Sequence, residues 1–163
     1  MNLFRKLSVS SYISILSALV GLIGFIFYFV TKGTNGYFYL ASSASTIVFF
    51  VFAVLFIVLA IFLRVFDFKV EGILAKVLDL VPSVLSVLGS IFFALSAMFY
   101  ISPKVEGLAF IFFSNADVIA TMQTPANLLS SKLVLVTFIL MLVACLVQVV
   151  SCFFTGKKEE KKA

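Results

Sequence analysis

Few residues in this chain could do chemistry. Cys145 and Cys152 stand seven apart near the end of the sequence. On a straight helix that spacing puts both on one face with Cα atoms roughly 10 Å apart, too far for a disulfide. They read first as small apolar packing residues, and Cys152, near the end of its apolar run, is the candidate for palmitoylation. The chain has no histidine, so bis-histidine haem ligation and imidazole acid–base chemistry are out of reach. A thiol–quinone oxidoreductase needs a pair of reactive outer-surface cysteines, and none is present. Proton-coupled carriage needs a carboxylate deep in an apolar run. Asp79 and Asp117 come nearest and both lie at the margins. The strongest polar group at depth is Gln148, which reads as an interhelical hydrogen-bond partner. There is no phosphate-binding glycine loop and no metal-ligand cluster. No catalytic, cofactor-binding or metal-binding residue follows, and an enzyme is not expected.

The elements that hold these residues are four stretches without a single charge: Leu7–Thr31, Gly33–Leu63, Leu80–Pro103 and Leu133–Gly156. Each is long enough to cross a bilayer as a helix. The 163 residues are 63% hydrophobic and 12% charged, with a mean hydropathy of +1.25. A soluble domain has about twice that charged fraction, and a soluble core helix keeps a polar face that these runs lack. The reading is an all-α membrane protein, a single integral domain 1–163 built as a four-transmembrane-helix bundle. Its spans fall near 8–30, 42–63, 81–102 and 133–154. The first is too long for a signal-peptide core and is followed by no small-residue cleavage pattern, so it reads as an uncleaved anchor.

Basic residues near the span ends set the orientation. Arg5, Lys6, Arg64, Lys69, Lys76, Lys157, Lys158, Lys161 and Lys162 share one side; only Lys32, Lys104 and Lys132 share the other. Both termini are therefore expected in the cytoplasm. The net charge of +5 reads as topology determinants touching anionic headgroups, with no nucleic-acid partner. The tail 156–163, rich in Lys and Glu, is expected to be disordered. Abundant Phe, Ile and Lys without Trp suggests a bacterial plasma membrane.

The chain also matches itself. Shifted by 72, residues 11–47 fall on 83–119 with ten identities, among them Ser14/Ser86, Phe27/Phe99, Tyr28/Tyr100 and Lys32/Lys104. Beyond that the shift becomes 91, pairing Thr46/Thr137, Ala53/Ala144 and Phe62/Phe153. This predicts two tandem helical hairpins, N-in/C-in, with a longer second outer loop. Tyr followed four residues later by Lys would mark the outer ends, as a belt aromatic with a snorkelling lysine.

Lipid does not drive helices together, so small residues that let backbones approach mark the seams. Ser10, Ser14, Ser17, Gly21 and Gly24 stand 4-3-4-3 apart; Ser86, Ser90, Ala53, Ala60 and Ala144 continue the pattern on other spans. Heptad spacing predicts near-parallel, left-handed packing with these stripes inward. Asp79 and Pro82 read as the start of the third helix, Thr124 and Pro125 as an early start of the fourth. Arg64–Asp79 alternates apolar and charged residues and reads as an interfacial segment. The outer segments are unusually apolar, and they are expected to dip to the interface or pack into a cap. Phe110, Phe112 and Phe113 beside Asn115 and Asp117 are the candidate partner or ligand surface.

These features predict a non-enzymatic accessory, scaffold or assembly subunit, in contact with lipid and with other membrane proteins or itself. A holin-like pore or small-solute permeation protein is the alternative, and a lipid-binding or lipid-transport subunit a further one.

Overall fold

The computed structural model describes residues 7–38, 43–66 and 73–154, and among them all regular structure is helical. The expected disordered tail and most of the stretch between the second and third helices lie outside the described residues. Six α-helices follow in order: α1 Val9–Lys32, α2 Ala44–Val65, α3 Ile73–Ile101, α4 Val105–Phe113, α5 Ala116–Met122 and α6 Pro125–Phe153. A 3₁₀ turn at Ser102–Lys104 joins α3 to α4. Four candidate spans are long and apolar enough to cross a membrane. At 1.5 Å per residue, the 24 residues of α1 reach about 36 Å.

The helices begin where a side chain can accept a backbone N–H that has no partner within the helix. Ser8 accepts from Ser11, Ser43 from Thr46, Asn115 from Val118 and Thr124 from Asn127. Pro125 fits the first turn of α6 because its missing donor is not needed there. The expected start of the third helix is corrected. It begins at Ile73, Asp79 lies inside it rather than capping it, and Pro82 is interior. Pro82 removes one rung of the helical ladder, and its carbonyl accepts a hydrogen bond from another helix, Arg64 Nη2 at 3.3 Å. The backbone from Ile73 is thus helical and continuous with the span, not a separate interfacial segment.

Four helices form the bundle: α1 packs on α6, α6 on α3 and α3 on α2, while α1 and α2 meet sparsely. The buried faces repeat every seven residues. On α1 they are Ser10, Ser14, Ser17, Gly21, Gly24, Tyr28 and Thr31. On α2 they are Thr46, Phe50, Ala53, Ile57 and Ala60, and on α6 Val134, Thr137, Met141, Ala144, Gln148 and Ser151. A sustained seven-residue period keeps one face on its neighbours along the whole length. The opposite faces carry exposed Leu16, Ile23, Leu55, Val58, Ile91 and Leu146, an apolar jacket suited to lipid.

α4 and α5 close one end of the bundle, here the cap end. Ser8, Arg64 and Cys152 lie at the other, the terminal end. Gly107 lies against the rings of Tyr37 and Phe38, and Gly36 against Ser130 and the Ala126 backbone. A Cβ at either position would collide, so these glycines set how closely the segments dock. Tyr37 N–H donates to Asn127 Oδ1 at 3.0 Å, Gln123 Nε2 to the Ile111 carbonyl at 3.0 Å and Asn127 Nδ2 to the Met122 carbonyl at 2.8 Å. The connecting segments therefore pack together as a cap, the second of the two arrangements their composition predicts.

Candidate functional site

The polar groups of the bundle gather in two clusters with an apolar layer between. At the terminal end Arg64 turns inward from the last turn of α2. Its Nη1 donates to Ser10 Oγ at 2.9 Å and its Nη2 to Ser86 Oγ at 2.7 Å, so one guanidinium ties α1, α2 and α3. Ser10 Oγ in turn donates to the Ser151 carbonyl at 2.8 Å, and Ser14 and Ser151 hydroxyls lie 3.0 Å apart. Gln148 Nε2 reaches the Ser86 carbonyl at 3.5 Å, while its Oε1 is buried without a partner. Cys152 Sγ donates to the Gln148 carbonyl one turn back, at 3.4 Å. No ion pair forms among the described residues, so Arg64 is held by neutral oxygens.

The middle layer is apolar. Phe93 fills it, packed with Phe50, Ala53, Ile57 and Ala144, and its ring occupies the space a Cβ on Gly21 would need. Ser17 Oγ donates to the Ala144 carbonyl at 2.7 Å, and Gly89 lies against Ile57 and the Ala53 carbonyl. Phe25 and Phe50 stack at 4.2 Å across the sparse seam between α1 and α2.

At the cap end the interior is again polar. Tyr28 and Tyr100 meet edge to face, ring centroids 5.6 Å apart. Ser96 Oγ donates to the Thr46 carbonyl at 2.9 Å. Lys104 folds beneath the cap: its Nζ donates to the Tyr100 carbonyl at 2.8 Å and sits 4.0 Å from the centre of that ring. Carbonyls at a helix C-terminus lack intrahelical donors and favour a cation, which explains why this lysine turns back.

The packing residues read from the sequence, Ser10, Ser14, Ser17, Gly21, Gly24, Ser86, Ser90, Ala53, Ala60 and Ala144, are all buried within the bundle. Their partners lie within this one chain, so the small-residue stripes are already occupied and are not free to receive another protein. Two readings are corrected. Tyr28 and Tyr100, each 1% exposed, are interior residues and not belt aromatics, and Lys104, also 1% exposed, does not snorkel. The 3₁₀ turn at Ser102–Lys104, which contains Pro103, folds the chain over it. Arg64, counted in the sequence only as a topology marker, is a structural crosslink.

The candidate surface on the cap divides. Phe110 and Phe113 are exposed on α4, Phe113 at 85%, whereas Phe112 packs against the core. Asn115 is committed to capping α5, and Asp117 is exposed. Missed in the sequence were Gly89, Phe93 and Ser96. Gly89 and Ser96 sit on the buried face of α3 with Ser86 and Phe93, and following that face at heptad spacing would have found them. Among the described residues no group of acidic or thiol side chains could hold a metal ion. No known protein family, curated protein or solved structure matches the chain.

Proposed function

We propose that this chain is a non-enzymatic accessory, scaffold or assembly subunit of a membrane complex, with its terminal end in the cytoplasm of a bacterium. One observation carries the reading. The serine hydroxyls and the Arg64 guanidinium of the spans pair with one another or with backbone carbonyls inside the bundle, while large apolar side chains face outward on the cap, at Phe110 and Phe113. Exposed apolar relief at the far end of the third candidate span, Asp79–Phe113, beside the exposed Asp117, suits contact with another protein. The sparse α1–α2 seam leaves α2 with an open outward face, where Phe52, Leu55, Phe56, Leu59 and Phe62 line a shallow groove of about 420 Å³.

The cytoplasmic assignment rests on the nine-to-three distribution of basic residues. The duplication is supported by contacts between equivalent positions. Ser17 lies on Ala144 between α1 and α6, and Gly89 on Ala53 between α3 and α2; shifts of 72 and 91 convert one pair into the other. Tyr28 and Tyr100 likewise each carry a lysine one turn on, over the ring.

Isolation in mild detergent tests the role. A larger membrane protein at fixed stoichiometry is the expected result; a clean homo-oligomer or monomer would oppose it. The second reading, small-solute permeation, is favoured by the hydroxyl-lined interior with Arg64 at one end and Lys104 at the other. It requires solute flux in liposomes holding the purified protein, and a tight vesicle at every protein density removes it.

A further inference from the structure

Under the internal repeat, two edges of the bundle correspond. Shifts of 72 and 91 carry α1 onto α3 and α2 onto α6, so the α1–α2 edge is the counterpart of the α3–α6 edge. The two differ: α3 and α6 meet extensively, α1 and α2 sparsely.

Side-chain chemistry accounts for the difference. Across the α3–α6 edge, Cys145 Sγ donates to the Ser90 carbonyl at 3.4 Å and Gln148 Nε2 to the Ser86 carbonyl at 3.5 Å, and Ser96 Oγ lies 4.0 Å from Met141 Sδ. The counterparts of Cys145, Gln148 and Ser96 are Val54, Ile57 and Gly24, which have no side-chain donor. Bulk follows the same division. Ala97 and Met141 lie in the buried core at the closed edge. Their counterparts are Phe25 and Phe50, stacked at 4.2 Å and 3° from parallel. Two rings stand where the other edge has a methyl and a thioether chain.

Hydrogen bonds gather the four helices into two pairs. α1 is tied to α6 through Ser10, Ser14 and Ser17, and α2 to α3 through Arg64 and the Thr46 carbonyl. The α3–α6 edge joins the pairs. On the α1–α2 edge Arg64 Nη1 reaches Ser10 at the terminal end and the Tyr28 hydroxyl stands beside the Ser43 backbone at the cap end. Between these ends the Phe25–Phe50 stack closes an apolar stretch. Parting two phenylalanines there leaves no hydrogen bond unmade, and lipid tails are as apolar as the rings. Regions with few buried contacts are the ones that open.

We propose that the α1–α2 edge is a lateral gate to the bilayer. The pairs α1/α6 and α2/α3 move as units, the α3–α6 edge is the hinge and the Phe25–Phe50 stack is the latch. Opening presents the interior face of α1, at Ser17, Gly21 and Gly24, and the Phe93 ring behind it to hydrocarbon. The gate stands independently of the accessory-subunit reading and uses the repeat only to choose which edges to compare.

The test measures distances across both edges by pulsed electron paramagnetic resonance on the full chain in lipid nanodiscs. Cys145→Ser and Cys152→Ser remove the native thiols and keep a donor at each position. Spin labels at Leu22→Cys/Val51→Cys span the gate, and at the corresponding Ala94→Cys/Leu142→Cys the hinge. The hinge pair should give one narrow distance and the gate pair two, the longer being the open state. Phe25→Leu should raise the open-to-closed ratio about three- to tenfold, the effect of losing an aromatic pair. Phe49→Leu, which removes the 5.1 Å stack on Phe99 within the α2/α3 pair, should leave that ratio unchanged. Single distances of equal width for both pairs, or an equal response to the two leucine variants, overturns the gate. If Phe25→Leu fails to fold, the comparison of the two label pairs in its parent still decides.

Discussion

Arg64 shows how a single side chain can be misread from its position in the chain. Counting charges makes it a marker of the cytoplasmic side, because it follows an apolar run. Its guanidinium instead reaches Ser10, Ser86 and the Pro82 carbonyl, an arrangement only the folded bundle assembles. Arg64→Ala should destabilise the protein by about 2 kcal/mol, in the range for hydrogen bonds to a charged group. Thermal unfolding in detergent measures this. Arg64→Lys should recover little, since an ammonium cannot bridge two hydroxyls in the planar fork of a guanidinium. Equal melting of wild type and Arg64→Ala would mean the crosslink is idle. Lys104 and the two tyrosines carry the same lesson. Tyr followed by Lys at the end of an apolar run fits both a belt and a buried site, and the 3₁₀ turn at Ser102–Lys104 decides between them.

At the scale of elements the sequence was far more legible. Gly21, Gly24 and the serines of α1 announce a close-packed seam because small side chains at heptad spacing serve little else in lipid. What no one-dimensional pattern supplies is the partner: α1 lies on α6, its most distant helix in sequence. Gly21 faces Phe93, so Gly21→Leu should destabilise the bundle itself by ~1–3 kcal/mol, as overpacking does. Phe93→Ala in the same chain should restore part of that loss by returning the volume. Full additivity of the two effects would show that the residues do not touch. Gly36→Ala should lift the first connecting segment off Ser130 and the Ala126 backbone, seen as faster amide exchange in that segment and the first turns of α6. Unchanged exchange would place the docking elsewhere. Thr124 and Pro125 were legible as a helix start because capping is local. Pro82 was not, because nothing local distinguishes a proline at a helix start from one ten residues inside.

For the whole molecule, the serine hydroxyls and Arg64 are spent on contacts inside the bundle, and the proposed association falls to the outward apolar relief. Four helices long and apolar enough to cross a membrane were fully legible, since that needs only length and the absence of charge. The role was not, because partners act on surfaces, and Phe112 cannot be told from Phe113 in sequence although one is packed and the other exposed. The decisive measurement isolates tagged wild-type and Phe110→Glu/Phe113→Glu protein from their native membrane in mild detergent, with protein mass and stoichiometry read for each. Both should fold alike by circular dichroism. Wild type should carry a larger membrane protein at fixed stoichiometry, and the doubly charged variant should lose it. Wild type isolated alone, or a partner retained equally by the variant, would contradict the assignment of an accessory subunit acting through its cap.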